Sequence, residues 1–243
     1  MTALALPAPG FRLPKFEPWR LLRPLKLDGQ FSPGQRMQFE GAGDTEIHSG
    51  GVIGGGGTAL TWDSALTTAD HTLSVGDTVV DFGGLKDICG GILPKTAGKW
   101  YAEVVMTVSA STKEYIGIIQ NNIDLTIEPK LGRGVAGDEF WMYRNNGGVH
   151  SFDATHDPAG SPTATTGAVI AVAVDIDGGK VWFAINNTWT EGAPAAGTGA
   201  SFADVTTASI VMAGAGMHAN TQYTIRAEAA KSYSPPSGFT YWS

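Results

Sequence analysis

A single cysteine, Cys89, in 243 residues leaves no internal disulfide, so the fold must rest on buried apolar surface and the chain suits a reducing compartment while it folds. With no histidine that the sequence places beside it, Cys89 reads as a small buried apolar residue, not a nucleophile. Charged residues make up only 16% of the chain, and the Lys-, Glu- and Leu-rich stripes of long solvated helices are missing. No apolar run reaches the ~20 residues of a membrane-spanning helix. The opening MTALALPAPGF has no basic residue ahead of its short apolar piece, and Pro7 and Pro9 break that piece, so neither a secretory leader nor membrane insertion is expected. The strings of several enzyme classes are also absent. There is no G-x-S-x-G nucleophile elbow, no E-x-D-x-E-like carboxylate spacing for a glycosidase, and no Lys-Ser or Lys-Thr closing a phosphate loop.

What is abundant is glycine, at 33 residues, together with β-branched and aromatic side chains in short runs. The segments TLSVGDTVVDF, GKWYAEVVMTV, EYIGIIQ, EFWMYRN, GVHSF, AVIAVAVDI, KVWFAIN, ASIVMAG and QYTIRAEA follow one another with no helical stripe between them, which argues for antiparallel sheets packed face to face. The expected class is all-β, a two-sheet sandwich over residues 58–243. In AVIAVAVDI, Ile170, Val172, Val174 and Ile176 alternate with Val169, Ala171, Ala173 and Asp175, so both faces are mostly apolar and the strand is central. Asp177-Gly178-Gly179 then reverses the chain into VWFAI, and a hairpin turn explains that stretch without chemistry. Trp62, Trp100, Trp182 and Phe183 are expected to fill the core.

Residues 1–57 are different in kind. Six cations against two anions in residues 1–36 give +4, leaving −11 for the rest of a chain whose total is −7. Six prolines forbid a long helix there, while Phe11, Phe16 and Trp19 are too apolar for a free tail. The segment reads as an extended arm in which Phe11, Arg12, Phe16, Trp19, Arg20 and Arg23 dock on other assembly subunits or fold back on their own domain. Nucleic acid is not the expected partner, because no motif accompanies the basic residues and the acidic remainder opposes it. SGGVIGGGGTA at 49–59 then serves as a linker, with the domain boundary near residue 57.

Two groups stand out as candidate sites. Trp141, Tyr143 and Arg144 precede the turn Asn145-Asn146-Gly147-Gly148, and Trp189 follows the Asn186-Asn187-Thr188 turn; each aromatic could face a ligand or the core. HSFDATHD gathers His150, Asp153, His156 and Asp157 within eight residues, a donor set a metal could use, though a hairpin strand and its loop account for the same residues. No cofactor and no bound metal are expected. The sequon at 186–188 carries no weight without a secretory leader.

The string AVAVDIDGGKVWFAINNTW at 171–189 resembles the signature hairpin of the SPRY domain family. GKWYAEVVM at 98–106, YIGII at 115–119 and YSPPSGF at 233–239 resemble three further motifs of that family, in the same order. The resemblance implies a curved, concanavalin-like jelly-roll sandwich that binds protein or other ligands through loops at one end, without a cofactor. The Pro-Pro-x-Gly-Phe ending and the Thr188-Trp189 pair after the Asn turn look most like SPRY domains of bacterial viruses, which implies a non-enzymatic virion protein of the head or tail: made in the host cytoplasm, anchored by the arm, and turned toward a host-surface protein or glycan or a neighbouring subunit. A sugar-binding module or glycan-active enzyme and an intracellular adaptor are the alternatives, and homo-oligomerisation is left open. The loops Asn121–Gly137 and Glu191–Ser201 match no family motif and are where specificity is expected.

Overall fold

A computed structural model describes residues 59–68, 70–84, 87–121, 139–151, 155–205 and 209–243; of His156 only the backbone is described. The arm residues, Asp153 and most of the 121–137 loop lie outside them. Among the described residues there is no α-helix, and no helix is long and apolar enough to cross a membrane.

Among the described residues fifteen strands run in chain order. These are β1 (Trp62–Thr67), β2 (His71–Ser74), β3 (Val79–Phe82), β4 (Asp87–Gly91), β5 (Lys99–Val108), β6 (Glu114–Gln120), β7 (Phe140–Arg144), β8 (Val149–Ser151), β9 (Thr155–His156), β10 (Val169–Asp175), β11 (Lys180–Ile185), β12 (Thr188–Trp189), β13 (Ile210–Gly216), β14 (Thr221–Ile225) and β15 (Thr240–Tyr241). One sheet has the order β1-β4-β13-β6-β7-β8-β9; the other has β12-β11-β10-β5-β14-β3-β2, with β15 parallel to the start of β5. Every other pairing is antiparallel.

The period of two decides what lies between the sheets. Ile170, Val172, Val174, Val181, Phe183 and Ile185 from β10 and β11 meet Ile116, Ile118, Trp141, Tyr143 and Met212 from the opposite sheet. β10 is central, paired to β5 on one side and β11 on the other, and every residue in it is buried. Its alanine face needs a separate cover. Ala171, Ala173, Trp182 and Ala184 pack outside the sandwich beneath Phe239 and Tyr241 of the C-terminal segment, so Trp182 belongs to an outer layer and not to the space between the sheets. Trp100 is only partly buried and lies with its ring 3.9 Å from the Lys95 ammonium, a further departure from the expected core.

The hairpin turn spans residues 176–179, with Asp175 opposite Lys180, and only Gly179 in it has a positive φ, +64°. Asp175 closes the turn by accepting from the Gly178 amide at 2.9 Å and pairing with Lys99 at 3.0 Å. In YIGII, the glycine is demanded by register: a Cβ on Gly117 would stand 2.1 Å from the Trp141 carbonyl oxygen of the neighbouring strand.

Candidate loop-end site

Glu114 begins β6 and is fully buried. Its carboxylate accepts from the Ala110 amide at 2.5 Å, the Ser111 amide at 2.7 Å, the Ser109 hydroxyl at 2.8 Å, the Thr221 hydroxyl at 2.9 Å and the Asn145 side-chain amide at 3.1 Å. A charge that has left water needs such a set, and donors from the chain's own loops replace hydration here. The donors lie in the 109–113 and 145–148 turns and on Thr221, which opens β14 directly after residues 217–220, so one buried side chain ties three places in the chain into one end of the sandwich. The 157–168 segment joins them: Ala164 donates to the Asn145 carbonyl at 2.9 Å, the Tyr143 hydroxyl to the Pro162 carbonyl at 2.6 Å, and the Ser109 amide to Thr166 Oγ1 at 3.0 Å.

This end is where the hairpin of Trp141 to Asn146 arrives, but the residues divide. Trp141, Tyr143 and Asn145 are interior. Trp141 is 3% exposed and donates from Nε1 to Asp204 at 2.9 Å; Tyr143 is wholly buried, which pushes its phenol well above the ordinary range; Asn145 gives both its backbone and its side chain to the Glu114 network. Burial excludes these three from direct contact with a ligand. The physical reason is register: β7 pairs Ile116 with Tyr143 and Ile118 with Trp141, which turns both rings inward. Arg144 and Asn146 reach the surface. Arg144 Nε donates to the Thr112 carbonyl at 2.8 Å, and Asn146 caps its own turn by accepting from the Gly148 amide at 3.2 Å. Trp189, in β12, is half-buried against the outer layer of Trp182 and Phe239 and sits apart from the Glu114 network.

The four metal candidates are not assembled into a described donor set. His150 is buried, stacks edge-on against Tyr115 with centroids 5.3 Å apart, and shares a 3.1 Å hydrogen bond with Thr155. Asp157 is exposed, Asp153 lies outside the described residues, and nothing is described of the His156 side chain. Among the described residues no three His, Cys, Asp or Glu side chains gather as a metal would require.

The 191–201 loop is a cover and not a free recognition loop. Pro194 is buried, and the carbonyls of Thr198 and Gly197 accept from Trp182 Nε1 at 3.0 Å and from Lys180 at 2.8 Å. Two carboxylates of consequence escaped the sequence reading, Glu103 and Glu114. Glu103 is fully buried and accepts from the Tyr101 hydroxyl at 2.9 Å and from the Ser232 and Tyr233 amides at 2.6 and 2.8 Å, which pins the YSPPSGF segment across the sheet. Only an acid inside an otherwise apolar strand, as in WYAEVV, marks such a residue beforehand.

A family model for the SPRY domain matches residues 99–224. Among solved structures, the chain is similar to the SPRY domain of human HERC1, at 14% identity and a TM-score of 0.54, covering 70% of this chain and 99% of that one. It is similar also to the TRIM65 PSpry domain, at 12% identity and a TM-score of 0.50, covering 70% of this chain and 93% of that one. No curated protein sequence matches. The matched span runs from the Lys-Trp-Tyr-x-Glu strand β5 through the signature hairpin to β14 on a two-sheet antiparallel sandwich, and the chain belongs to the SPRY domain family, a protein-interaction fold.

Proposed function

We propose that this chain is a non-enzymatic binding module that takes a protein partner on the loop end built round Glu114. The observation that carries this reading is the buried carboxylate with five donors, which ties three places in the chain while Lys113, Asn146, His218 and Asn220 stay exposed beside them. Loops already ordered lose little entropy on binding, which is what a recognition surface on a rigid scaffold needs. Among the described residues acid–base chemistry has no evident home. Glu103 and Glu114 spend their oxygens on the chain's own donors, and Asp175 is held by Gly178 and Lys99.

The finer reading places the module in a bacteriophage virion, with residues 1–57 as an arm anchored in the assembly and the sandwich turned outward. Its support is the sequence: six prolines and a +4 charge in an apolar segment ahead of a glycine-rich stretch. An intracellular adaptor would share the sandwich and differ in what the arm meets.

A photo-cross-linking residue placed at Asn146 or His218, and separately at Thr72 on β2, tests the loop end in cells that make the protein. Protein adducts from the first two sites and none from Thr72 are expected. Adducts from Thr72 alone would overturn the loop-end reading, and adducts from Phe16 or Trp19 to assembly subunits would support the arm.

A further inference from the structure

Most cations of the described sandwich have engaged charged heads. Lys99 pairs with Asp175 and Lys231 with Glu228; Lys180 donates to the Gly197 carbonyl; Arg226 donates to Ala230 and Ser232; Lys95 donates to the Ser243 carbonyl and lies over Trp100. Two remain. Among the described residues the exposed Lys113 ammonium has no partner, and Arg144 gives only its Nε, leaving Nη1 and Nη2 open. The 2.8 Å bond from Arg144 Nε to the Thr112 carbonyl seats the guanidinium against the residue that precedes Lys113, so both residues belong to the same edge of the loop end.

Their backbones also adjoin the Glu114 network. Lys113 sits in the turn whose Ala110 and Ser111 amides are bound by Glu114, with its own amide donating to Ser111 Oγ at 3.0 Å. Arg144 is followed by Asn145, which is inside the same network. The exposed carboxylate of Asp157 lies on the Gly148 and His150 side, its Oδ1 2.5 Å from where a Gly148 Cβ would stand, and among the described residues it forms no ion pair with Lys113 or Arg144. A guanidinium fixed through Nε with both its NH2 groups open, and the exposed ammonium of the residue that follows Thr112, offer a positive site suited to a carboxylate, on a chain whose net charge is −7.

We propose that the partner of this loop end is an acidic polypeptide segment, one of whose Asp or Glu carboxylates is held by Arg144 with Lys113 beside it. This deepens the binding-module reading and rests on it. A polypeptide is favoured over the other anions by what the rim lacks. Trp141 and Tyr143 are buried, and the exposed large apolar residues among those described are Val75 and Val108, of which only Val108 borders the 109–113 turn, so the described rim presents no aromatic face for a sugar ring and a single valine in place of an apolar wedge for a bilayer.

The test is amide and Arg Nε–Hε NMR of the full chain titrated with the acetylated heptapeptide Gly-Ser-Glu-Asp-Glu-Ser-Gly and with its Gln-Asn-Gln counterpart. Saturable shifts at Arg144 Nε, Lys113 and Asn146 are expected with the acidic peptide only. Arg144→Gln and Lys113→Gln should each weaken binding about tenfold, and Arg144→Lys should weaken it less, because charge survives while the fork is lost. Lys113→Gln alters an exposed side chain and so guards against loss through misfolding; unchanged β10 amide shifts certify each variant. Equal response to the neutral peptide, no saturable shift, or shifts away from these residues would overturn the proposal. So would tighter binding at the same residues by sialyllactose or by phosphatidylserine vesicles, which would assign the fork to a glycan or a membrane. Protein cross-links from Asn146 that survive in the Arg144→Gln and Lys113→Gln variants would leave the module reading intact and sink this one. Acidic-peptide binding without any rim cross-link would sink the module reading alone.

Discussion

Glu114 sits in the interior without an ion pair, and its five donors make it the most heavily bonded side chain of the loop end. Removing the carboxylate strands the Ala110 and Ser111 amides and leaves Asn145 and Thr221 with their bonds to the Ser111 and His218 carbonyls, and each stranded buried donor costs roughly 1–3 kcal/mol. Glu114→Ala should therefore lower stability by about 4 kcal/mol, and Glu114→Gln by about half as much since it keeps one acceptor oxygen and the shape. Urea midpoints at pH 7 measure both. A loss in Glu114→Ala no larger than a surface substitution would show that the network does not hold the loops. None of this was legible in the sequence, because the donors come from positions 3 to 107 residues away. Asn145 was legible as a turn residue and Trp141 and Tyr143 as an alternating pair, but alternation gives a spacing and not a sign. Which face is inward depends on β6, whose pairing the local sequence does not encode.

At the scale of elements, the β10–β11 hairpin could be read in advance because its period of two and its Asp-Gly-Gly turn are both local signals. β4, Asp87–Gly91, could not: Gly90 and Gly91 carry no side chain to alternate, although the strand is buried throughout. β12, β15 and β9 have two residues each and present no pattern at all. The motif YSPPSGF was recognisable as a string, and its physical use is clear only from Glu103. That carboxylate holds the Ser232 and Tyr233 amides, β15 then adds to β5, Phe239 meets Trp182 edge-on with centroids 6.1 Å apart, and Trp242 donates to the Leu93 carbonyl at 2.7 Å. The segment should open as a unit. In Glu103→Gln, hydrogen exchange at Ser232, Tyr233 and Trp242 should quicken by at least about tenfold, equivalent to ~1.4 kcal/mol of local opening, while β10 amides keep their protection. Uniform acceleration across both sheets would instead mean that the segment melts only with the whole domain.

The whole sandwich buries protonated acids that ionise in the alkaline range. Burial pushes the Cys89 thiol up from 9.0 to about 12 and moves the Tyr101, Tyr143, Tyr223 and Tyr241 phenols above their ordinary value near 10.0, with the Glu103 charge adding to the rise at Tyr101 and Tyr241 and Glu114 at Tyr223. The sign follows from proton counting. Below pH 9 both states keep these protons and the groups contribute no pH dependence. Above it the unfolded chain releases them first, the native state holds more protons, and stability falls as pH rises. Urea midpoints should thus stay level from about pH 7 to 8.5 and drop steadily beyond about pH 9, with the thiol alone accounting for about 2 kcal/mol by pH 10.5 at ~1.4 kcal/mol per unit. Cys89→Ala lowers the plateau through its cavity but should flatten the fall between pH 9 and 10.5 relative to wild type. An identical slope in the two proteins would show that Cys89 ionises as readily in the fold as out of it, which its full burial between β1 and β13 argues against.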